Sequence, residues 1–305
     1  MFQARRLLFY TCASPLHLGA GTAIGAIDNP IQREVHSHFP LIAGSGLKGA
    51  VRHHLLESWR SQREDIDRIF GPETNASAHA GAIAFSDAVL VAFPVRSSAR
   101  TFMYATSAYA LGRLRRLADV ANLALAWSVP EPEPDSAAVT SAAAGTSLVL
   151  EAFEYRAVAD PQVRLVADWL ADVAFPDTQS FKYFKEKLRE DLVVLPEGDF
   201  GHFVRHSTVV EPHVRIDDDT GTAADTGLFY TENLPPESIL AGLGLASVER
   251  TRGRNGEGRW LAEEVLERVL AGNGNGLPGI AGGIVQMGGD ATTGRGLVVV
   301  QPASR

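Results

Sequence analysis

Two stretches of this chain set small residues beside isolated charges in patterns that could do chemistry. His17 to Arg52 reads HLGAGTAIGAIDNPIQREVHSHFPLIAGSGLKGAVR, and Ile284 to Val300 reads IVQMGGDATTGRGLVVV. Glycine lacks a Cβ, so backbone N–H groups in such loops can come close to a ligand. In GSGLKGAVR a Gly/Ser loop runs into a helix, with Lys48 on its first turn and Arg52 four residues on. A helix N-terminus carries free N–H groups and partial positive charge, so this arrangement suits a phosphate. The plainer alternative is a helix capped by Ser45 with two solvated cations. Asp28, in Ile27-Asp28-Asn29-Pro30, is either an Asx-turn residue or a lone carboxylate that holds a hydrated Mg²⁺ or orients a 2′-hydroxyl. His17, just before the glycines, could serve in acid–base chemistry. Gly288, Gly289 and Gly294 flank two threonines ahead of Arg295, which makes either an anion-binding nest or a tight hairpin turn.

Several familiar sites are excluded by spacing. LGAGTAIG (18–25) lacks the helix that a dinucleotide fingerprint must open, because Pro30 follows almost at once. GSGLKG (44–49) is too short for a P-loop, and Gly49 stands where Ser or Thr is required. His36/His38 and His53/His54 do not have zinc spacing, and the single cysteine, Cys12, builds neither a zinc site nor an intramolecular disulfide. Asp217–Asp219 matches no calcium loop and reads as a solvated turn. In GLFYTENLP (227–235), Phe229 and Tyr230 stand beside Glu232; such rings either stack on splayed bases or face the core, one from each strand.

The elements that must position these residues alternate along the chain. The 305 residues, 45% hydrophobic and 21% charged, suffice for a buried core in one elaborated domain or two. The net charge of −8 speaks against a nucleic-acid binder working by bulk charge, though not against a narrow basic groove. Acid gathers at Glu131, Glu133 and Asp135 and at Asp217–Asp219; base gathers at Arg113, Arg115 and Arg116 and at Arg250, Arg252, Arg254 and Arg259. No stretch has the roughly 18 apolar residues of a membrane span, and the opening MFQARRLLFYTCAS is too interrupted for a signal peptide, so the chain reads as cytosolic.

Strands are expected at 4–12, 82–95, 147–158, 237–249, 280–287 and 296–301. Helices are expected at 47–69, 106–127, 161–173, 179–190 and 260–272. Residues 17–46 read as loop, and 128–145, rich in Pro, Glu, Ala and Ser, as a flexible linker or exposed loop. Residues 196–228 lack periodicity and read as a projecting loop or hairpin, with a strand at GLFYTENL. The whole predicts an α+β arrangement around an elaborated sheet.

Five segments in order, GAIDNPIQRE, FPLIAGSGLKGAVR, IFGP…AGAIAFSDAVLVAFPVRS, GLFYTENLP and IVQMGGDATTGRG, resemble the RAMP superfamily. Within it they are most similar to the backbone-subunit family of type III-B CRISPR effector complexes. The related type III-A backbone subunit shares the Ile-Asp-Asn-Pro loop, but the LFYTE segment and the greater length favour III-B. The resemblance covers most of the chain outside 128–145. It implies an RNA-recognition-motif-like, ferredoxin-like core over 1–305, with helical insertions and a β-hairpin thumb at about 198–228. It implies partners as well: a CRISPR guide RNA, a target RNA, further copies of the chain and other subunits of the complex. It places metal-dependent cleavage of the target, with Mg²⁺ or another divalent cation, at Asp28. Guide contacts fall on the loop holding Ser45 and Lys48, where Gly46 replaces the family's second serine, and on Gly288, Gly289 and Arg295. A guide-binding scaffold without cleavage is the alternative, and an Asp28→Ala variant separates the two.

Overall fold

The computed structural model describes residues 1–21, 26–74, 77–140, 145, 147–251, 258–274 and 276–303. Part of the glycine run at 18–25, part of 128–145, and Arg252 and Arg254 lie outside them. In the first half the chain forms β1 (Ala4–Cys12), β2 (Leu41–Ile42), α1 (Gly44–Ser58), α2 (Arg63–Phe70), β3 (Ile83–Phe85), β4 (Ala88–Ser97), β5 (Thr101–Ser107) and α3 (Ala108–Val120). Then come β6 (Ser136–Val139), β7 (Ser147–Leu150), β8 (Phe153–Ala159), α4 (Pro161–Val173), α5 (Lys182–Asp191), β9 (Leu192–Leu195) and α6 (Glu197–His206). The last part holds β10 (Val209–Ile216), β11 (Ala223–Asn233), β12 (Ile239–Ala246), α7 (Ala262–Leu270), β13 (Ile284–Gln286) and β14 (Leu297–Pro302).

All strands but β10 and β11 join one sheet in the order β13-β14-β1-β12-β4-β5-β9-β6-β8-β7, with β2 also on β4 and β3 on β12. The neighbours β14, β1, β12 and β4 are all antiparallel, with α1 between β1 and β4 in sequence and α7 between β12 and β14. β1 explains the two-layered core. Successive side chains on a strand point to opposite faces. Leu8, Tyr10 and Cys12 enter one cluster with Leu47, Val51 and Leu55 of α1, while Leu7 and Phe9 enter another with α3 and α4. The middle of β1, Leu7–Tyr10, is covered on both faces and is apolar throughout, which is why the sequence there does not alternate.

The differences from expectation have physical causes. The 128–145 stretch is no linker throughout: Ser136–Val139 is a buried strand between β9 and β8. Its Ser-Ala-Ala-Val residues are small because neighbours press on both faces, and small residues carry a weak strand signal. The helix expected at 47–69 breaks into α1 and α2, and that expected at 106–127 stops at Val120, before Asn122 with its positive φ of 57°. β5 and β9 pair in parallel and were unmarked in sequence. The 198–228 segment, expected as a projecting thumb, begins as helix: α6 buries Phe200, Phe203 and Val204, and only then does the β10–β11 hairpin follow as a separate two-stranded sheet. No helix among the described residues is long and apolar enough to cross a membrane.

Charge is also buried in the fold. The Arg68 guanidinium of α2 donates to both Glu249 oxygens, at 2.9 and 2.5 Å, and Glu249 is 1% exposed. Burial alone would push the Glu249 carboxyl up, but the Arg68 hydrogen bonds, with Thr251 and the Trp260 N–H, outweigh it and hold it at about 2. Such a carboxyl binds its proton less readily folded than unfolded, so its stabilisation is complete above its ordinary value of 4.5 and drains as pH falls toward 2. Urea unfolding across that acid range should therefore show a steeper loss of stability in the native chain than in Glu249→Gln. Equal slopes would remove this pair from the acid response.

Candidate functional site

The site is built on the outer edge of β11. β10 and β11 pair from Val209 opposite Asn233 to Ile216 opposite Ala223. On the other edge of β11, Tyr230 and Glu232, with Leu234 just past the strand, present their backbone groups to the N-terminal loop. Asp28 Oδ2 accepts the Tyr230 N–H at 2.8 Å. The Asn29 N–H donates to the Tyr230 carbonyl at 3.0 Å, and the Asn29 carbonyl accepts the Glu232 N–H at 2.9 Å. Leu16 and Leu234 exchange two backbone hydrogen bonds of 2.9 Å. His17 Nδ1 lies 2.7 Å from the Glu232 carbonyl. A carbonyl only accepts, so Nδ1 carries the proton and Nε2 keeps a lone pair in the neutral ring.

Glu232 holds this edge in place and is 3% exposed. Its Oε2 accepts the Ile31 N–H at 3.0 Å. Its Oε1 receives Arg33 Nη2 at 2.5 Å and the Thr208 hydroxyl at 2.8 Å. Arg33 Nη1 also donates to the carbonyls of His38 and Val204, each at 2.8 Å. One buried ion pair thus ties the Asp28 loop, the hairpin base and α6 together. Asp28 itself is exposed, and its second oxygen accepts no hydrogen bond from the described residues.

The C-terminal glycine loop closes the site from behind. The Gly289 N–H donates to the His17 carbonyl at 2.9 Å, and a Cβ on Gly288, at φ 76°, would run into that same carbonyl. The N–H groups of Gly289, Thr293, Gly294, Arg295 and Gly296 all bond within the protein, so most of the expected nest is already spent. Arg295 is ion-paired with Glu211 of β10, which fastens this loop to the hairpin.

The second basic group lies on α1. Ala43 rather than Ser45 holds the cap position, and Asp87 Oδ1 accepts the Gly44 N–H at 2.7 Å. Ser45 is exposed on the first turn. Arg52 pairs with Asp67 of α2 at 3.2 Å. Burial, then the charges of Arg52 and Arg250, hold the Lys48 ammonium below its usual range. Among the described residues Lys48 has no carboxylate partner. The structure therefore brings Asp28, His17, Gly288 and Gly289 together, and gathers Ser45, Lys48 and Arg52 separately with Arg250. No hydrogen bond links the two groups directly.

Two sequence readings change. Phe229 and Tyr230 are 40% and 38% exposed on the hairpin, not in the core, and Phe229 stacks on His213 at 5.1 Å. Glu232, in sequence only a neighbour of those rings, is the buried anchor of the edge; the signal for it is a lone glutamate beside apolar residues, complementary to Arg33. As for a metal, no group of three His, Cys, Asp or Glu residues that could hold one occurs among the described residues. Asp28 fits a cation only as a single ligand.

The sequence matches the RAMP superfamily over residues 9–299. The chain belongs to that superfamily. Among RAMP relatives, it is 32% identical over 292 residues to the CRISPR system Cmr endoribonuclease Cmr4 of Pyrococcus furiosus, covering 94% of this chain and 92% of that one. The similarity to the Cms endoribonuclease Csm3 of Enterococcus italicus is 33% over 85 residues, only 24% of this chain. The RAMP fold of a crystal structure of oligomeric Cmr4 from Pyrococcus furiosus matches with TM-score 0.72 and 25% identity, over 99% of each chain. A chain of type III-B Cmr-beta bound to cognate target RNA shares the fold, at TM-score 0.70 and 20% identity over 99% of this chain and 98% of that one.

Removing the Glu232 carboxylate should release the loop. Glu232→Ala leaves the Arg33 charge without its counter-ion, a change that costs about 3–5 kcal/mol when the pair is buried. Hydrogen exchange should then speed up at the Asn29 and Tyr230 amides well before the rest of the fold opens. Unchanged protection there would show that the edge of β11 holds without Glu232.

Proposed function

We propose that this chain is the repeated backbone subunit of a type III-B CRISPR effector complex, which binds guide RNA and cleaves complementary target RNA at regular intervals. The observation that carries it is Asp28, an exposed carboxylate pinned by one oxygen to β11, in a chain akin over nearly its whole length to a Cmr endoribonuclease. The short reach of the Csm3 similarity favours type III-B over III-A.

The finer architecture follows the same reading. The strand order β14-β1-β12-β4, antiparallel throughout, with α1 and α7 as its crossovers, supports a ferredoxin-like, RNA-recognition-motif-like core within a single domain. The β10–β11 hairpin is the thumb. Copies of the chain line up along the guide, as the oligomeric relative suggests, beside other subunits of the complex. The compartment is the cytoplasm, with no membrane partner.

RNA can be cut by its own 2′-hydroxyl once the attack is held in line, so the protein has mainly to position the strand. Asp28 accepts the 2′-hydroxyl proton as that oxygen attacks the adjacent phosphorus, and the 5′-oxygen leaves with a proton from His17 Nε2 in its charged form. The anchors of the two side chains, Tyr230 and Glu232, are two residues apart, about 7 Å along a strand, which leaves room for a phosphodiester between them. A divalent cation, Mg²⁺ or another, would be held by Asp28 together with RNA phosphates and would supply neutralisation of the developing charge. Guide phosphates lie along Ser45, Lys48 and Arg52, and pass Gly288, Gly289 and Arg295. Base pairing with the guide supplies sequence choice while the protein reads backbone and shape.

The test is cleavage of guide-matched RNA by the assembled complex. Asp28→Ala should bind target normally and cut about 10²–10⁴-fold more slowly at every site, the range for losing a positioned acid–base group. Cutting at the native rate would leave only the scaffold. Lys48→Ala should weaken RNA binding regardless of sequence and reduce its salt slope by about 0.7, the value for one single-strand phosphate contact. An unchanged slope would take Lys48 out of the groove.

A further inference from the structure

The arginine-rich segment after β12 has no part in the reading so far, yet the fold fixes where one of its cations stands. α2 carries Asp67 and Arg68 side by side. Asp67 holds the Arg52 guanidinium at 3.2 Å, one helical turn beyond Lys48. Arg68 holds Glu249 through two hydrogen bonds of 2.9 and 2.5 Å, and Arg250 is the next residue. The Trp260 N–H donates to Glu249 Oε2 at 3.1 Å, and the Trp260 ring lies between the Arg68 and Arg268 guanidiniums, 3.4 and 4.1 Å from its centroid. Both flanks of the segment are therefore pinned. A single turn of α2 sets the position of Arg52 on one side and of the backbone bearing Arg250 on the other.

We infer that Arg250 is a further contact for the RNA backbone, forming with Lys48 and Arg52 a three-cation cradle along successive phosphates, and that the Arg68–Glu249 pair is its positioning device. The inference rests on the RNA-binding reading above. Among the described residues Asp67 is the one carboxylate that offsets this group, although the chain has 36 acidic residues against 28 basic. Neither Lys48 nor Arg250 has an acidic partner there. Bringing like charges together costs the folded chain; burial first, and then the charges of Arg52 and Arg250, hold the Lys48 ammonium below its usual range. A phosphate relieves that cost, and a guanidinium meets phosphate oxygens two at a time.

The experiment uses the full chain and a fluorescently labelled single-stranded RNA of mixed sequence, with affinity measured across a salt series. Arg250→Ala should lower the slope of log K against log salt by about 0.7, as Lys48→Ala does, and Arg250→Lys should restore it. In the positioning arm, Glu249→Gln keeps Arg250 but should lose the same slope, and adding Arg250→Ala to it should cost nothing more. Thermal melting checks that Glu249→Gln is folded; if it is not, Arg68→Lys, which keeps the charge and loses the paired hydrogen bonds, takes its place. A native slope in Arg250→Ala beside a reduced one in Lys48→Ala overturns the inference alone. Native slopes in both overturn the RNA reading of α1 as well. A native slope in the folded positioning variant leaves Arg250 as a contact and removes the Arg68–Glu249 pair from the argument.

Discussion

The buried pairing of Glu232 with Arg33 is the interaction on which the site depends. A strand edge with unpaired backbone groups will take whatever chain lies beside it. Here Glu232 decides that the neighbour is the Asp28 loop: its carboxylate takes Ile31, Arg33 and Thr208, while its own backbone bonds Asn29 and His17. Arg33 carries the link on to His38 and Val204. An exposed carboxylate on a loop needs such a support, because a loop alone would not keep Asp28 in one place. The support is ionic and buried, so either partner without the other would be costly.

The same economy explains how an acidic chain can present a local basic surface. Net charge acts at long range and is screened within about 8–10 Å at physiological salt, whereas a ligand feels the nearest groups. Acid is spent at close quarters on fixing cations: Asp67 with Arg52, Glu249 with Arg68, Glu34 with Arg113, Glu211 with Arg295. Only Lys48 and Arg250 are left uncompensated around α1 among the described residues. A cluster of arginines in the sequence therefore does not by itself mark a cation left free for a ligand. Arg113, singled out by its cluster, is committed to Glu34.

This is also why the sequence was legible in some places and opaque in others. β1, α1, α4 and α7 declare themselves through long apolar patterns, and Asp160-Pro161 starts α4 with the Asp side chain capping it. The Asp28 loop and the two glycine runs were visible because their residue types are unusual for any core. β6 was not, because Ser-Ala-Ala-Val owes its burial to what packs against it rather than to its own character. β9 follows α5 with no break, so nothing at Leu192–Leu195 marks a new element. Glu232 is the instructive miss: three other segments, at His17, Asn29–Arg33 and Thr208, meet on its side chain and backbone, and no local pattern encodes such a meeting.

The glycines illustrate the difference between a ligand loop and a scaffold loop. Gly288 was singled out as a backbone donor for an anion. In the folded chain its want of a Cβ serves first to let the C-terminal loop press on the His17 carbonyl. That contact, with the Gly289 N–H on the same oxygen, fixes the main chain of the residue whose ring bonds Glu232. The loop therefore serves less by offering free amides than by holding His17 and, through Arg295 and Glu211, the hairpin. A nest whose donors are already committed cannot bind an anion strongly, but a rigid loop that positions two other elements can shape the groove into which the anion falls.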